Sequence, residues 1–502
     1  MKFKTGENRE QAAFFPMTIE EYLPDDHLAK LLWTIVNLLN LEPIIKKYSE
    51  IGQYPFDPRI LVVILFYGYA IGTRSSRKLA QSCIDRIDFM YLTAKLTPSY
   101  KTISEFRREN LEELKSIFQE IVVIGIKLGL VKIGNINVSI DGTKVRANAS
   151  SKLSKDEEGL KKLLEEVKGK VETIMKEAEE VDNQEDREYG DSQGNELPKE
   201  LKKLENRKAK IEDAIKELQE EKARLKEEVL SKKGEDGKLS KKEEEKIEKK
   251  KINLTDPEAR YMKEREGCIK TNYNGQASVD EANQFILAND VTDECNDKKQ
   301  LISILEKTEE NVGSKIDKSK ADSGYLSASN LAETAKKGIE AYIDDPNKGR
   351  VGNDNYTYDK VNFKYDIQTD TYICPAGNSL ELRPGTGEEK IYECNACGSC
   401  PTKELCTKAR KRRITRDKNE HFVEENRARI LSEEGKEEYK KRMYTVEPVF
   451  GNIKYNSGFR QFLLRGLKKV KGEFNLMCIA HNLKKIATYC IKNDINLEVY
   501  LT

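Results

Sequence analysis

Ile136-Asn137-Val138-Ser139-Ile140-Asp141 alternates apolar and polar side chains with period two. That is the pattern of a strand with one face in a core. Asp141 ends this strand and Gly142 follows it. A carboxylate at the exposed end of a buried strand costs less than one inside the core, and it can face a ligand. Working outward, strand character returns at 268–279 and 284–291, and helical periodicity at 298–308. A further strand at 315–321 leads into Asp322-Ser323-Gly324-Tyr325, a second acid leaving a strand. A helix over 327–341 and a short strand at 341–343 complete the series.

This β-β-β-α-β-α-β order is that of a ribonuclease-H-like α/β core, an order that several mixed folds share. Between its first and second strands lie residues 151–250, dominated by Lys and Glu. Leu160, Leu163, Leu164, Val167 and Val171 mark one apolar stripe and Ile211, Ile215, Leu218 and Leu225 another. With a loop at 182–198 between the stripes, the segment reads as an antiparallel helical hairpin whose mixed charges form a solvated face. Residues 1–130 read as helical: Leu28, Leu31, Leu32, Ile35 and Leu38 keep a helical period, and the apolar run 60–71 follows Asp57-Pro58. The short helices after it, with Ser75-Ser76-Arg77-Lys78 and Pro98-Ser99 at their starts, suit either phosphate contacts or a plain helical bundle.

Charged residues make up 35% of the 502, but the net charge is only +1, so any nucleic-acid contact must rest on local clusters. The longest apolar run is too short for the ~20 residues of a membrane helix. With no signal-like stretch behind Met1, the chain is expected to be soluble and cytoplasmic. Five of the ten cysteines fall between Cys374 and Cys406, which in a reducing compartment points to metal rather than disulfides. Cys394, Cys397 and Cys400 are spaced C-x2-C-x2-C, with Cys406 after five more residues. Four positions of a tetrahedral Zn²⁺ are assigned to Cys374, Cys397, Cys400 and Cys406, with Cys394 as the spare; unmetallated thiols are the alternative. The most concentrated basic run follows: Lys408, Arg410, Lys411, Arg412 and Arg413, either a clamp on a DNA backbone or a solvated run.

A third acid, Glu447, opens Glu447-Pro448-Val449-Phe450-Gly451-Asn452-Ile453-Lys454, with Pro448 suited to a first helical turn. Spacing alone does not single out Asp141, Asp322 and Glu447 among 87 acidic residues, and Asp280, Asp290 and Asp293 also lie near strands. The stretches Ser139-Ile140-Asp141-Gly142-Thr143-Lys144, Ala321-Asp322-Ser323-Gly324-Tyr325 and Val446 to Lys454 resemble the three acidic motifs of DDE transposases. The nearest resemblance is to the insertion-sequence-1182 type of the insertion-sequence-4-like group. Asn253-Leu254-Thr255-Asp256-Pro257-Glu258-Ala259-Arg260, Tyr273-Asn274-Gly275-Gln276-Ala277, 458–466 and His481-Asn482-Leu483-Lys484 match as well, so the resemblance runs nearly the length of the chain.

The resemblance implies a ribonuclease-H-like catalytic core with a helical-hairpin insertion, an all-α N-terminal domain and a small cysteine-rich zinc module. It divides the chain into 1–130 for DNA binding and assembly, 131–345 for the first part of the core with its insertion at 151–250, 346–420 for the cysteine-rich part, and 421–502 for the C-terminal helical part. It implies that Asp141, Asp322 and Glu447 bind two Mg²⁺ (or Mn²⁺) and that the protein cleaves and joins double-stranded DNA at element ends, as a homodimer on that DNA. The group's Tyr, Arg, Glu and Lys set falls on Tyr439, Arg442, Glu447 and Lys454. The gap between Arg442 and Glu447 holds four residues, one more than the group's usual pattern. A nuclease of the same fold and a non-catalytic DNA-binding derivative remain as alternatives.

Overall fold

In the computed structural model the chain is described over residues 17–48, 54–189, 199–231, 238–264, 267–384 and 390–497. The first stretch is helical: α1 (Leu28–Leu38), α2 (Pro58–Ala70), α3 (Ser76–Asp85), α4 (Ile87–Thr93), α5 (Tyr100–Glu109) and α6 (Leu111–Lys127). Asp57 caps α2 by accepting from the Arg59 N–H, and Pro58 occupies its first turn. Every α2 residue except Arg59 is buried, so this helix is covered on all sides.

A six-stranded sheet follows, built from β1 (Asn137–Arg146), β2 (Arg260–Lys263), β3 (Ile269–Asp280), β4 (Ile286–Thr292), β5 (Lys318–Ala321) and β6 (Glu340–Ile343). Its order is β2-β3-β1-β5-β6, and β4 also pairs with β3. β1 runs antiparallel to β3 and parallel to β5, which is parallel to β6. Helices α7 (Leu301–Val312) and α8 (Ala328–Lys336) supply the β4-to-β5 and β5-to-β6 crossovers. An antiparallel meander joined to parallel strands through helical crossovers fits a ribonuclease-H-like core. β1 does not end at Asp141 as expected but continues to Arg146, because β3 pairs with it along its whole length.

Two helices of 33 residues, Glu157–Tyr189 and Lys199–Ser231, stand between β1 and β2 in sequence. Leu160, Val167, Ile211, Ala214 and Leu218 form their own core, separate from that of the sheet. They run antiparallel: Glu157, at the start of the first, accepts from Gln219 and Lys222 of the second. The expected loop at 182–198 is helical as far as Tyr189, and 190–198 lie outside the described residues. Arg260 of β2 holds Glu221 of the second helix at 3.0 Å, anchoring the pair to the sheet.

The cysteine-rich stretch, which shows little periodicity, forms a five-stranded antiparallel meander of Lys364–Asp366, Thr371–Ile373, Ser379–Leu382, Lys390–Glu393 and Arg413–Arg416. Strands of three or four residues are too short to display alternation. Tyr372, Leu380, Tyr392, Cys394, Cys397 and Ile414 close its core.

Helices α9 (Glu420–Leu431), α10 (Glu433–Gly451) and α11 (Leu467–Asn493) finish the chain. α11 lies between the sheet and the N-terminal helices, so one hydrophobic core includes Phe66 of α2, Ile286 of β4 and Ile479 of α11. Asn482 of α11 accepts from the Ile286 N–H at 2.9 Å and donates to its carbonyl at 2.8 Å. One amide thereby satisfies both backbone groups of an edge strand. Glu473, fully buried on α11, accepts from the Leu463 and Leu464 N–H groups and pairs with Arg74 at 3.2 Å. Arg107 is buried against the Tyr69 hydroxyl and the Arg74 carbonyl. These N-terminal arginines brace the fold. No helix among the described residues is long and apolar enough to cross a membrane.

Candidate active site

Parallel pairing sets the first two acids side by side. Ser139 of β1 stands opposite Lys320 of β5. Two residues further on come Asp141, still within β1, and Asp322, the residue that follows β5. Two residues along a strand restore the same face, so Asp141 lies on the face of Ser139 and of its neighbour Lys320. Lys320 is wholly buried there and pairs with Glu281 and, at 2.8 Å, with Glu438 of α10. Burial would raise the Glu438 carboxyl, but hydrogen bonds from Lys320 and Lys441 outweigh it and hold it down at about 2. This buried pair docks α10 over the two acids.

One helical turn beyond Glu438, Arg442 points into the same place. Its guanidinium lies 3.0 Å from Asp141 and 3.5 Å from Glu447, and both Arg442 and Asp141 side chains are under a tenth exposed. Burial opposes its charge, while the nearby carboxylates, Asp141 first, favour it. Arg442 is thus a cation that bridges Asp141 and Glu447. Tyr439, one turn earlier, is pushed up to about 12 chiefly by burial, with Asp344, Asp322 and Asp141 adding to the shift. Lys348 sits over its ring at 5.5 Å.

The sequence places Pro448 in a first helical turn; the structure corrects this, since Pro448 lies inside α10. A proline there has no N–H for the carbonyl four residues back. That carbonyl, of Tyr444, accepts instead from the Gln284 side-chain amide at 2.7 Å. The chain then winds into a π turn at Asn452–Asn456, a local widening common at functional sites. Asn452 faces His481 Nδ1 across 3.3 Å, while His481 Nε2 lies 3.0 Å from the Gln284 carbonyl. Burial holds His481 down at about 4, so it is a neutral bracket in the core. The π turn delivers Lys454 to β1, where its ammonium donates to the Lys144 carbonyl at 2.9 Å.

Asp322 caps the short turn Ser323–Tyr325, accepting from the Gly324 N–H at 2.9 Å. Tyr325 is fully buried, and its hydroxyl donates to Gln276 of β3. Burial, then Asp297, Asp141 and Asp322, raise that hydroxyl well above the usual tyrosine range. Asp297 was not foreseen. It comes from the loop after β4, accepts from Asn274 at 2.6 Å and Gln276 at 2.7 Å, and lies 3.6 Å from Lys144. Asn274 and Gln276 belong to a stretch that the resemblance marked without giving them a role. Asp297 is one acid among several in its loop, and only tertiary contact singles it out.

The three carboxylates, from β1, from the residue after β5 and from α10, are hard oxygen donors of the type that divalent cations take. Among the described residues, no three His, Cys, Asp or Glu side chains stand close enough to share an ion. Arg442 stands between Asp141 and Glu447.

All five cysteines line one cavity of about 20 Å³ in the small meander module. Cys374 Sγ accepts from the Asn378 N–H and Cys397 Sγ from the Arg412 N–H, each at 3.3 Å. Burial, and then a hydrogen bond with Cys397, push the Cys394 thiol up to about 11, while the Thr402 hydroxyl lowers Cys400. The basic run beside it is partly committed: Lys411 and Arg413 hold Glu393, at 2.8 and 2.7 Å. Arg412 reaches the Tyr358 carbonyl and the Phe363 ring. Lys408 and Arg410 are exposed.

Residues 373–487 match the family model of the transposase DDE domain, and residues 17–109 match that of a transposase domain of the DUF772 family. Both matches are to transposases. Together they support a DDE-type transposase. The DDE match contains Glu447 and the set around it, while Asp141 and Asp322 lie outside both matched stretches. The searches of curated proteins and of solved structures yield no match.

Proposed function

We propose that the chain is a DDE transposase of the insertion-sequence-1182 type that cleaves DNA at element ends and transfers the freed strand to a target. The observation that carries this is that Asp141 lies in β1 and Asp322 directly follows the parallel neighbour β5, with Glu447 joined to Asp141 through Arg442. Asp141, Asp322 and Glu447 would hold two Mg²⁺, with Mn²⁺ as a substitute. Such ions, when bound, supply charge for the attacking and leaving oxygens of an in-line displacement. Arg442 neutralises the acids and orients Glu447 and Asp141. Lys454, at the edge of β1, can receive a DNA phosphate, and Tyr439 packs behind Arg442.

The N-terminal helical domain would bind ends or support assembly, the helical insertion would brace DNA or a partner subunit, and a homodimer would hold two ends together. The cysteine-rich module would hold a structural zinc, a reading that rests on five thiols lining one cavity and requires four of them to close in from the positions they hold here. Lys408 and Arg410 are its exposed candidates for a DNA backbone.

The test is Mg²⁺-dependent cleavage of DNA carrying the element's end sequences, comparing wild type with Asp322→Ala. End cleavage that disappears in the variant is the expected result. Specific binding without cleavage, unchanged in the variant, would replace this reading with that of a non-catalytic DNA-binding protein.

A further inference from the structure

Asp297 has a place among the acids that the proposed chemistry does not use. Its Oδ1 is held by the side-chain amides of Asn274 and Gln276, neighbours on one face of β3. The Gln276 amide oxygen in turn accepts from the Tyr325 hydroxyl, so the end of β5 is tied through β3 to the Asp297 loop. The two Asp297 oxygens rest against two glycines. A Cβ on Gly142 would lie 2.6 Å from Oδ1, and one on Gly324 would lie 3.3 Å from Oδ2. Gly142 directly follows Asp141, and Gly324 donates its N–H to Asp322. The carboxylate therefore fills the space between the two backbone segments that carry the paired acids, a space that exists only because both segments lack a side chain there.

We infer that Asp297 is a positioning residue that sets the separation of Asp141 and Asp322, acting through its contacts with Gly142 and Gly324 and through the Asn274–Gln276 clamp. The inference rests on the reading of Asp141 and Asp322 as ligands of a divalent cation. It differs from making Asp297 a ligand: its work is done by shape and hydrogen bonding, since one oxygen is already occupied by two amides. Outer contacts of this kind orient the groups that bind the ion, and their loss typically weakens metal affinity by about 10- to 100-fold.

The test is Mn²⁺ binding to the full chain without DNA, followed by electron paramagnetic resonance, with thermal unfolding recorded alongside. Asp297→Ala removes the spacer and should weaken Mn²⁺ binding by about 10- to 100-fold. Asp297→Asn keeps the shape and the oxygen that the two amides reach, and should stay within roughly threefold of wild type. Asp297→Ser, which cannot span the gap, takes the place of the alanine variant should that one fail to fold. Wild-type affinity in the truncated variant would overturn the inference. So would equal, near-complete loss in the Asn and Ala variants, which is the behaviour of a ligand. If wild type and Asp322→Ala bind Mn²⁺ equally poorly, the failure lies with the metal-site reading.

Discussion

Arg442 takes the position that gives the acids their counter-charge. With its side chain and that of Asp141 both under a tenth exposed, deleting the guanidinium removes the cation paired with a buried carboxylate. Removing one member of a buried pair costs roughly 3–5 kcal/mol. Arg442→Ala is therefore expected to lower the urea midpoint, and added Mn²⁺ should restore more stability to the variant than it adds to wild type. A midpoint unchanged from wild type would show that Asp141 does not need that charge. Arg442 was legible from the sequence only through the family-like set around Glu447, whose spacing here is one residue long. Across that longer gap Glu447 lies 3.5 Å from the guanidinium, on the same helix. Asp297 was not legible, because nothing in a loop of several acids tells which one turns toward two glycines on other strands.

α10 is placed by a buried pair and by a histidine bracket, and each has a pH signature. Glu438 is depressed to about 2, so the stability it contributes is complete above the ordinary carboxyl value of 4.5 and is lost as pH falls toward 2. Lys320→Met should remove much of that acid sensitivity while lowering stability at pH 7, as read by urea unfolding across pH. His481 is likewise depressed, to about 4 from 6.5, so its unfolded form binds protons first as the pH falls. Between pH 6.5 and 5 wild type should lose stability that His481→Gln retains; parallel curves would contradict this. β1 was readable because six alternating residues suffice to show a buried face, although not where its pairing ends. The place of Pro448 was not readable. A proline inside a helix is disfavoured unless the freed carbonyl finds a donor, and that donor, Gln284, lies 160 residues away in sequence.

Over the whole molecule, the strand and helix order of the core follows from alternation and period except for β2 (Arg260–Lys263), whose four residues are too few to show a period. The sharing of one apolar core by the N-terminal helices, α11 and the sheet does not, because it is decided by how wholly buried helices meet. The meander around the cysteines escaped a periodicity reading because its strands are too short. Its chemistry gives a direct expectation: the purified chain should carry about one zinc per molecule by elemental analysis. Cys397→Ser should lose the metal and unfold at lower temperature, and Cys394→Ser should keep it. Zinc absent from wild type, or retained in Cys397→Ser, would leave these residues as packed thiols.

The central claim is that Asp141, Asp322 and Glu447 act as one site that joins DNA as well as cutting it. It is tested most directly by strand transfer from pre-cleaved element ends bearing a free 3′-hydroxyl into a target duplex with Mg²⁺. Wild type should give joined product, and Asp141→Ala, Asp322→Ala and Glu447→Ala should each abolish it while still binding the ends. Joined product that persists in any of the three variants would contradict the assignment, and cleavage without joining in wild type would mark a nuclease on the same fold.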